Sequence, residues 1–312
     1  TFLLIITFGW TRHRWGAISG GALPTSPSGA SDLWRFFVEG WHYVGMGSNV
    51  AAPAWTIFIA LGSLLTFGNV SLFISLFFIA APFAALLGAH RYLKSKTLSS
   101  WLSAIASLLY ALSPISISAI NGGHLGVLVL LILLPFFVSV FGKWRDIENR
   151  SIRNLFSIAL FIWVLQSFNP SLLAIIATGS IFYIYQDYEA ASRNYRDPLF
   201  ITRLGRRMIV LLVPFFLALP ASLSYFVHPT RLLLEIGIMQ PGGGGNLALL
   251  ANPGGEGSLP WWSLSPIPVL LLVTYFSVTE ARKFAEFGIG FLLLGAVASS
   301  IQISGNGSSS SN

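Results

Sequence analysis

The sequence predicts an all-α membrane protein: a polytopic bundle of about nine spanning helices, the first truncated, with two long loops on one face. Three observations lead there. Hydrophobic residues make up 54% of the 312 and charged residues only 9%, where a soluble domain carries about 25% charged residues. Mean hydropathy is +0.72. Finally, uncharged apolar runs of spanning length follow one another, and most of the basic residues gather in the short joints between them.

Taken in order, Thr1 to Trp10 is the end of a span, and a loop follows it to about Val50. Ala51 to Phe67 is apolar but short and holds Pro53 and Gly62, which suits a helix lying at the membrane surface. Val70 to Ala89 is charge-free over 20 residues, the length a spanning helix needs, and His90, Arg91, Lys94 and Lys96 stop it. Leu98 to Ile120 is a second span. The turn Asn121-Gly122-Gly123-His124 sends Leu125 to Gly142 back, and Lys143, Arg145, Arg150 and Arg153 close that hairpin.

Asn154 to Gln186 holds 33 uncharged residues, which as one helix would extend ~50 Å against a hydrocarbon core of ~30 Å. Asn169-Pro170 divides it, because proline lacks the amide donor and disfavours helix at the residue before it. Two short helices in a hairpin are therefore expected. Asp187 to Arg207 is a polar joint and Met208 to Val227 the next span. His228 to Pro260 is a long loop with glycines at 242–245, followed by Trp261-Trp262 as an aromatic anchor at headgroup level. Trp262 to Thr279 and Phe287 to Ser304 complete the set. The single multi-pass domain is thus 1–304, and the small polar tail 305–312 is expected to be disordered. Thr1 lies inside an apolar run with no initiator Met, so the chain is expected to be a segment of a longer protein.

The joints 91–97, 143–153, 187–207 and 280–286 hold 14 of the 18 Lys and Arg residues. The positive-inside rule places them in the cytoplasm of a plasma-membrane protein. Residues 11–69 and 228–261 then face outward together, provided that Ala51 to Phe67 does not span. The net charge of +7 is accounted for in the same way, so nucleic acid is not an expected partner and membrane lipid is. With no cysteine there is neither a disulfide framework nor a thiol nucleophile.

The stretch from Ser31 to Ser48 concentrates charge, aromatic rings and glycine. Its acids, Asp32 and Glu39, are the candidate catalytic carboxylates, since chemistry at a membrane surface needs a base or a metal anchor. The competing assignment makes Ser31 or Asp32 the N-cap of a helix starting at Leu33, Glu39 a solvated helix end, and Asp32 with Arg35 a surface ion pair. Trp41 and its aromatic neighbours would stack on a sugar or anchor at the bilayer surface. Arg35, Arg231 and His42 could pair with a lipid phosphate, or simply with headgroups. His124, at a hairpin tip on the outer face, is a further candidate for substrate binding. No two histidines stand at ligand spacing, so no His-based metal site is expected. The glycines at 242–245 lack the Lys-Ser/Thr of a phosphate loop. Asp146-Ile147-Glu148 and Asp187-Tyr188-Glu189 imitate paired catalytic acids, but they lie among arginines and are expected to form solvated ion pairs.

Several segments carry a family resemblance. They are Asp32-Leu33-Trp34, Gly40-Trp41-His42, Gly45-Met46-Gly47-Ser48, Leu109-Tyr110-Ala111-Leu112-Ser113-Pro114, Gly122-Gly123-His124-Leu125-Gly126, Leu133-Leu134-Pro135-Phe136 and the run His228 to Glu235. In order along the chain they resemble the membrane region attached to family 2 glycosyltransferases of actinobacterial type. The first half also resembles the YfhO-like group and, more loosely, the multi-pass C-type glycosyltransferase fold, which takes its sugar from a polyprenyl phosphate carrier. The resemblance implies a first outer loop with helices lying on the membrane, matching 11–69. It further implies an early acid acting as base or as partner of a divalent metal, a place that Asp32 fits, with Glu39 second. No adjacent acid pair is present there, and the cytoplasmic family 2 domain that would be the partner is missing from this chain. The expected function is a cell-envelope glycosyltransferase membrane domain acting on or holding a polyprenyl-linked sugar. The alternative is a non-catalytic scaffold or translocation module for a separate transferase domain.

Overall fold

The computed structural model describes residues 29–42, 51–95, 99–141, 149–191, 193–219 and 221–227, together with 5, 22, 23 and 147. Among them there are helices and connecting turns but no β-strand. The architecture of the described residues is therefore all-α, as the sequence predicts. The helices in chain order are α1 (Ala30–Val38), α2 (Trp55–Ser63), α3 (Val70–Lys94), α4 (Ser100–Ala111), α5 (Pro114–Gly122), α6 (Leu125–Phe141), α7 (Ile152–Phe168), α8 (Ser171–Ala190), α9 (Pro198–Leu217) and α10 (Ser224–Val227). Short 3-10 turns follow α2 at Leu64–Thr66 and precede α10 at Ala221–Leu223.

Two stretches have the length and apolarity of a membrane span: Val70–Lys94, 25 residues, and Ser100–Gly122, 23 residues. The second departs from the sequence expectation of one unbroken helix. It is carried by α4 and α5, which part at Leu112-Ser113. The reason is local: Pro114 bars its predecessor from helical geometry, and the Ser113 hydroxyl instead caps α5 by accepting from the Ser116 amide. The expected break at Asn169-Pro170 is present between α7 and α8. A larger correction concerns α9, expected to begin at Met208 and found at Pro198. Asp197 caps it, its Oδ1 accepting from Leu199 N–H at 2.7 Å and Phe200 N–H at 3.2 Å, and Pro198 occupies the first turn, where no amide partner is missed. Three arginines assigned to a joint thus lie inside a helix, which ends at Leu217 instead of running to Val227. The expected spans at 262–279 and 287–304, the loop 228–260, the tail and all but Ile5 of the opening span lie outside the described residues.

The chain divides into two compact units. The smaller includes Leu112–Leu125 with Ala22 and Leu23, and the larger draws on Thr25–Ala111 and Gly126–Ile236. In the smaller unit α5 ends where the sequence places a turn. Gly123 adopts φ +76°, a left-handed conformation that glycine takes without a Cβ penalty, and the His124 amide reaches back to the Ala119 carbonyl at 2.8 Å. The Ala22 amide bonds the Gly122 carbonyl at 2.7 Å.

In the larger unit, α3 and α4 pack through small side chains. Ala81, Ala85 and Ala89 are buried on α3, and Ser103, Ser107 and Ala111 are buried at four-residue spacing on α4. Small residues let helix backbones approach closely, the usual solution where no hydrophobic drive separates helix from lipid. Gly88 serves α6 similarly: a Cβ there would come 3.1 Å from the Phe136 ring. A second core joins α7, α8 and α9 through Leu155, Ile158, Ile162, Ile176 and Val210, with Ile147 from the preceding turn.

Proline within α6 creates a debt that a neighbour settles. Pro135 has no amide for the carbonyl four residues earlier, that of Leu131, and the Tyr110 hydroxyl of α4 donates to that oxygen at 2.6 Å. At the other end of this region Gly62 of α2 allows the Phe73 ring of α3 to approach, since a Cβ on it would lie 2.2 Å from Phe73 Cζ.

Tyr110→Phe should therefore leave the Leu131 carbonyl without its donor and cost about 1–2 kcal/mol, read as an earlier midpoint in an SDS unfolding titration. Gly62→Ala should cost about 1–3 kcal/mol by displacing the Phe73 ring, read as a lower Tm in detergent.

Candidate functional site

Five of the expected candidates, Asp32, Arg35, Glu39, Trp41 and His42, stand on or just after α1. This helix starts earlier than expected. Gly29 is the N-cap residue and makes no side-chain cap, so neither Ser31 nor Asp32 is the cap, and Asp32 sits as an acid in the first turn. There its carboxylate complements the partial positive charge of the helix N-terminus. Leu33 is buried and Phe36 and Phe37 half-buried, the i, i+3, i+4 face that a surface helix turns inward. α1 packs on α2 along this face. Trp34, Arg35 and Val38 project outward.

Glu39 closes the helix at the C-cap position, exposed, with its amide on the Arg35 carbonyl at 2.8 Å. Trp41 is half exposed. His42 is buried, its ring 4.2 Å from that of Phe36, and its Nδ1 has no hydrogen-bond partner among the described residues. The imidazole is thus held by stacking rather than displayed to headgroups. Asp32, Arg35, Glu39, Trp41 and His42 all stand on α1 and its exit turn. His124 is half-buried in the smaller unit, and Arg231 lies outside the described residues.

Among the described residues no three His, Cys, Asp or Glu side chains gather closely enough to hold a metal ion.

A second polar cluster was not expected. Asp187 of α8, assigned to a solvated joint, accepts from Arg207 Nε at 3.0 Å and Nη2 at 2.7 Å and from Arg203 Nη1 at 3.2 Å. Arg207 is only 1% exposed, and its guanidinium lies 5.1 Å from the Tyr183 ring centroid. Arg206 donates to the carbonyls of Ile147 at 3.0 Å and Arg150 at 2.5 Å. The signal was present as spacing: Tyr183 and Asp187 are i,i+4 on one helix, Arg203 and Arg207 i,i+4 on the next. Only the outer pair of the joint behaves as expected, with Arg193 and Glu189 an exposed contact at 3.5 Å.

The cluster ties α9 to α8 and to the turn before α7. Its carboxylate is fully engaged by two guanidiniums, so it offers no free base, and its chemistry is structural.

No family model, curated protein or solved structure matches the chain.

Asp187→Asn should destabilise the protein by about 3–5 kcal/mol, because it strands a buried guanidinium. Adding Arg207→Met should recover much of that loss, and paired chemical-unfolding curves of the single and double variants check it.

Proposed function

We propose that this chain is the membrane domain of a bacterial cell-envelope glycosyltransferase, acting on or holding a polyprenyl-phosphate-linked sugar. In this reading the full fold is a nine-span bundle of C-type character in the plasma membrane, with the basic joints cytoplasmic and 11–69 and 228–261 outside. The supporting observation is the make-up of α1. One nine-residue helix and its exit turn bring together a first-turn carboxylate, an outward guanidinium, a buried imidazole and two projecting indoles.

The chemistry asked of them is simple. The acceptor hydroxyl attacks the anomeric carbon of the lipid-linked sugar and gives its proton to the Asp32 carboxylate. The bond from that carbon to the phosphate oxygen breaks, and the lipid phosphate leaves with both electrons. Arg35, or Arg231 from the second outer loop, balances the charge on the departing phosphate. Glu39, exposed at the other end of the helix, is the second acid, and Trp34 and Trp41 offer faces on which a sugar ring can stack. His124 is a further candidate for binding the substrate.

Asp32→Asn in the full-length protein, with transfer from a polyprenyl-phosphate sugar measured in membranes, should lower turnover by about 100-fold or more. Wild-type transfer by that variant would favour the second reading, a scaffold or translocation module for a separate family 2 catalytic domain.

A further inference from the structure

The turn between α2 and α3 has features that the site does not use. Leu64 and Leu65 of its 3-10 segment are exposed, Leu65 by 82%, and the Phe67 side chain stands entirely clear of the protein. Leu61 on the preceding helical turn is also exposed. Phe67 has φ +54° and ψ +36°, a left-handed conformation that a bulky L-residue rarely adopts. The backbone here is thus bent against its preference while the ring is displayed.

Many of the polar atoms of the turn pair with one another. The Thr66 hydroxyl lies 2.9 Å from the Ser63 carbonyl and 2.7 Å from that of Asn69. The amides of Phe67, Gly68 and Asn69 donate to the carbonyls of Leu64, Ser63 and Thr66, and the Ala30 amide at the start of α1 donates to the Gly68 carbonyl at 3.0 Å. Asn69 Oδ1 accepts from the Leu72 amide at 2.9 Å, and the Ser63 hydroxyl donates to the Ala60 carbonyl at 2.8 Å. A turn in water can leave such groups to solvent, whereas one in hydrocarbon cannot.

We infer that the Leu64–Phe67 turn is a wedge seated in the lipid bilayer, with Leu64, Leu65 and Phe67 as its lipid contacts. The occupant is lipid rather than a protein partner for two reasons. The turn opens directly onto α3, the 25-residue helix of spanning length and apolarity, so the same bilayer that α3 would cross lies beside it. And the sequence from Trp55 to Ala89 holds no charged residue, so the turn's own segment is as free of charge as the spanning-length helix it leads into. α2 then dips toward the membrane without crossing it: its nine residues and the turn reach less than ~20 Å, short of the ~30 Å core. The inference holds whether or not Asp32 is a base.

The chain has no cysteine, so a single introduced thiol can be labelled without background. In this 312-residue chain, Leu64→Cys, Leu65→Cys, Phe67→Cys and, for reference, Glu39→Cys carry an environment-sensitive fluorophore in phosphatidylcholine vesicles. They are quenched in turn by a spin-labelled lipid and by iodide. Labels at 64, 65 and 67 should be quenched severalfold more by the lipid probe than the label at 39 and should be shielded from iodide. Iodide quenching equal to that at 39 overturns the wedge, as does shielding from both quenchers, which would mean that protein covers the turn. Leu64→Cys and Leu65→Cys leave the backbone of Phe67 unchanged, so the test does not depend on how the Phe67 variant folds.

Discussion

A backbone carbonyl away from water must find a donor, and in this chain the polar side chains of the helices are largely committed to that task. Tyr110 serves the Leu131 carbonyl that Pro135 leaves open, Asn169 Nδ2 serves Gly126 at 2.8 Å, and Gln166 Nε2 serves Pro214 at 2.6 Å. Each of these bonds crosses between elements distant in sequence, so the requirement of the backbone becomes the link between helices. A protein with so few charged residues can build a specific bundle in this way, because the loss of any of these three donors would leave a backbone carbonyl unpaired.

The arginines extend the same logic. Arg206 caps carbonyls of the turn before α7, while Arg203 and Arg207 neutralise Asp187 on α8. α9 is thereby fixed on two sides, with the apolar core of Ile158, Ile162 and Val210 beside it. The carboxylate and the Tyr183 face replace part of the hydration that Arg207 loses on burial, while its Nη1 has no hydrogen-bond partner among the described residues. On α1, by contrast, the outward Arg35 and the exposed Glu39 are not absorbed into the packing of the bundle.

Much of the helical architecture was legible because it follows from charge and proline. The α7–α8 break is written in Asn169-Pro170, and the turn after α5 in two glycines. The break at Ser113-Pro114 carries the same signal but sits within an uncharged run, and apolarity masked it. The start of α9 was missed because its arginines look like a solvated joint. Asp197-Pro198 is a good helix start, but the burial of Arg207 depends on Asp187, 20 residues earlier in the chain and on another helix. Of the candidate site, Asp32, Arg35, Glu39, Trp41 and His42 share one short element, as their closeness in sequence implies. The N-cap assignment for Asp32 failed because an extended glycine precedes the helix and starts it without a side-chain bond. The burial of His42 against Phe36 could not be read at all, since it depends on how the chain folds back after Gly40.

The Ala30–Gly68 hydrogen bond joins two features that are otherwise separate, the helix bearing the candidate acid and the turn bearing the apolar tip. It lies two residues before Asp32. With the tip held in lipid, the height of the carboxylate above the hydrocarbon becomes a fixed property of the protein, set by one hydrogen bond and one turn. Because Asn69 caps α3 directly after that turn, thickening or thinning of the membrane would carry the acid along with this end of the spanning-length helix.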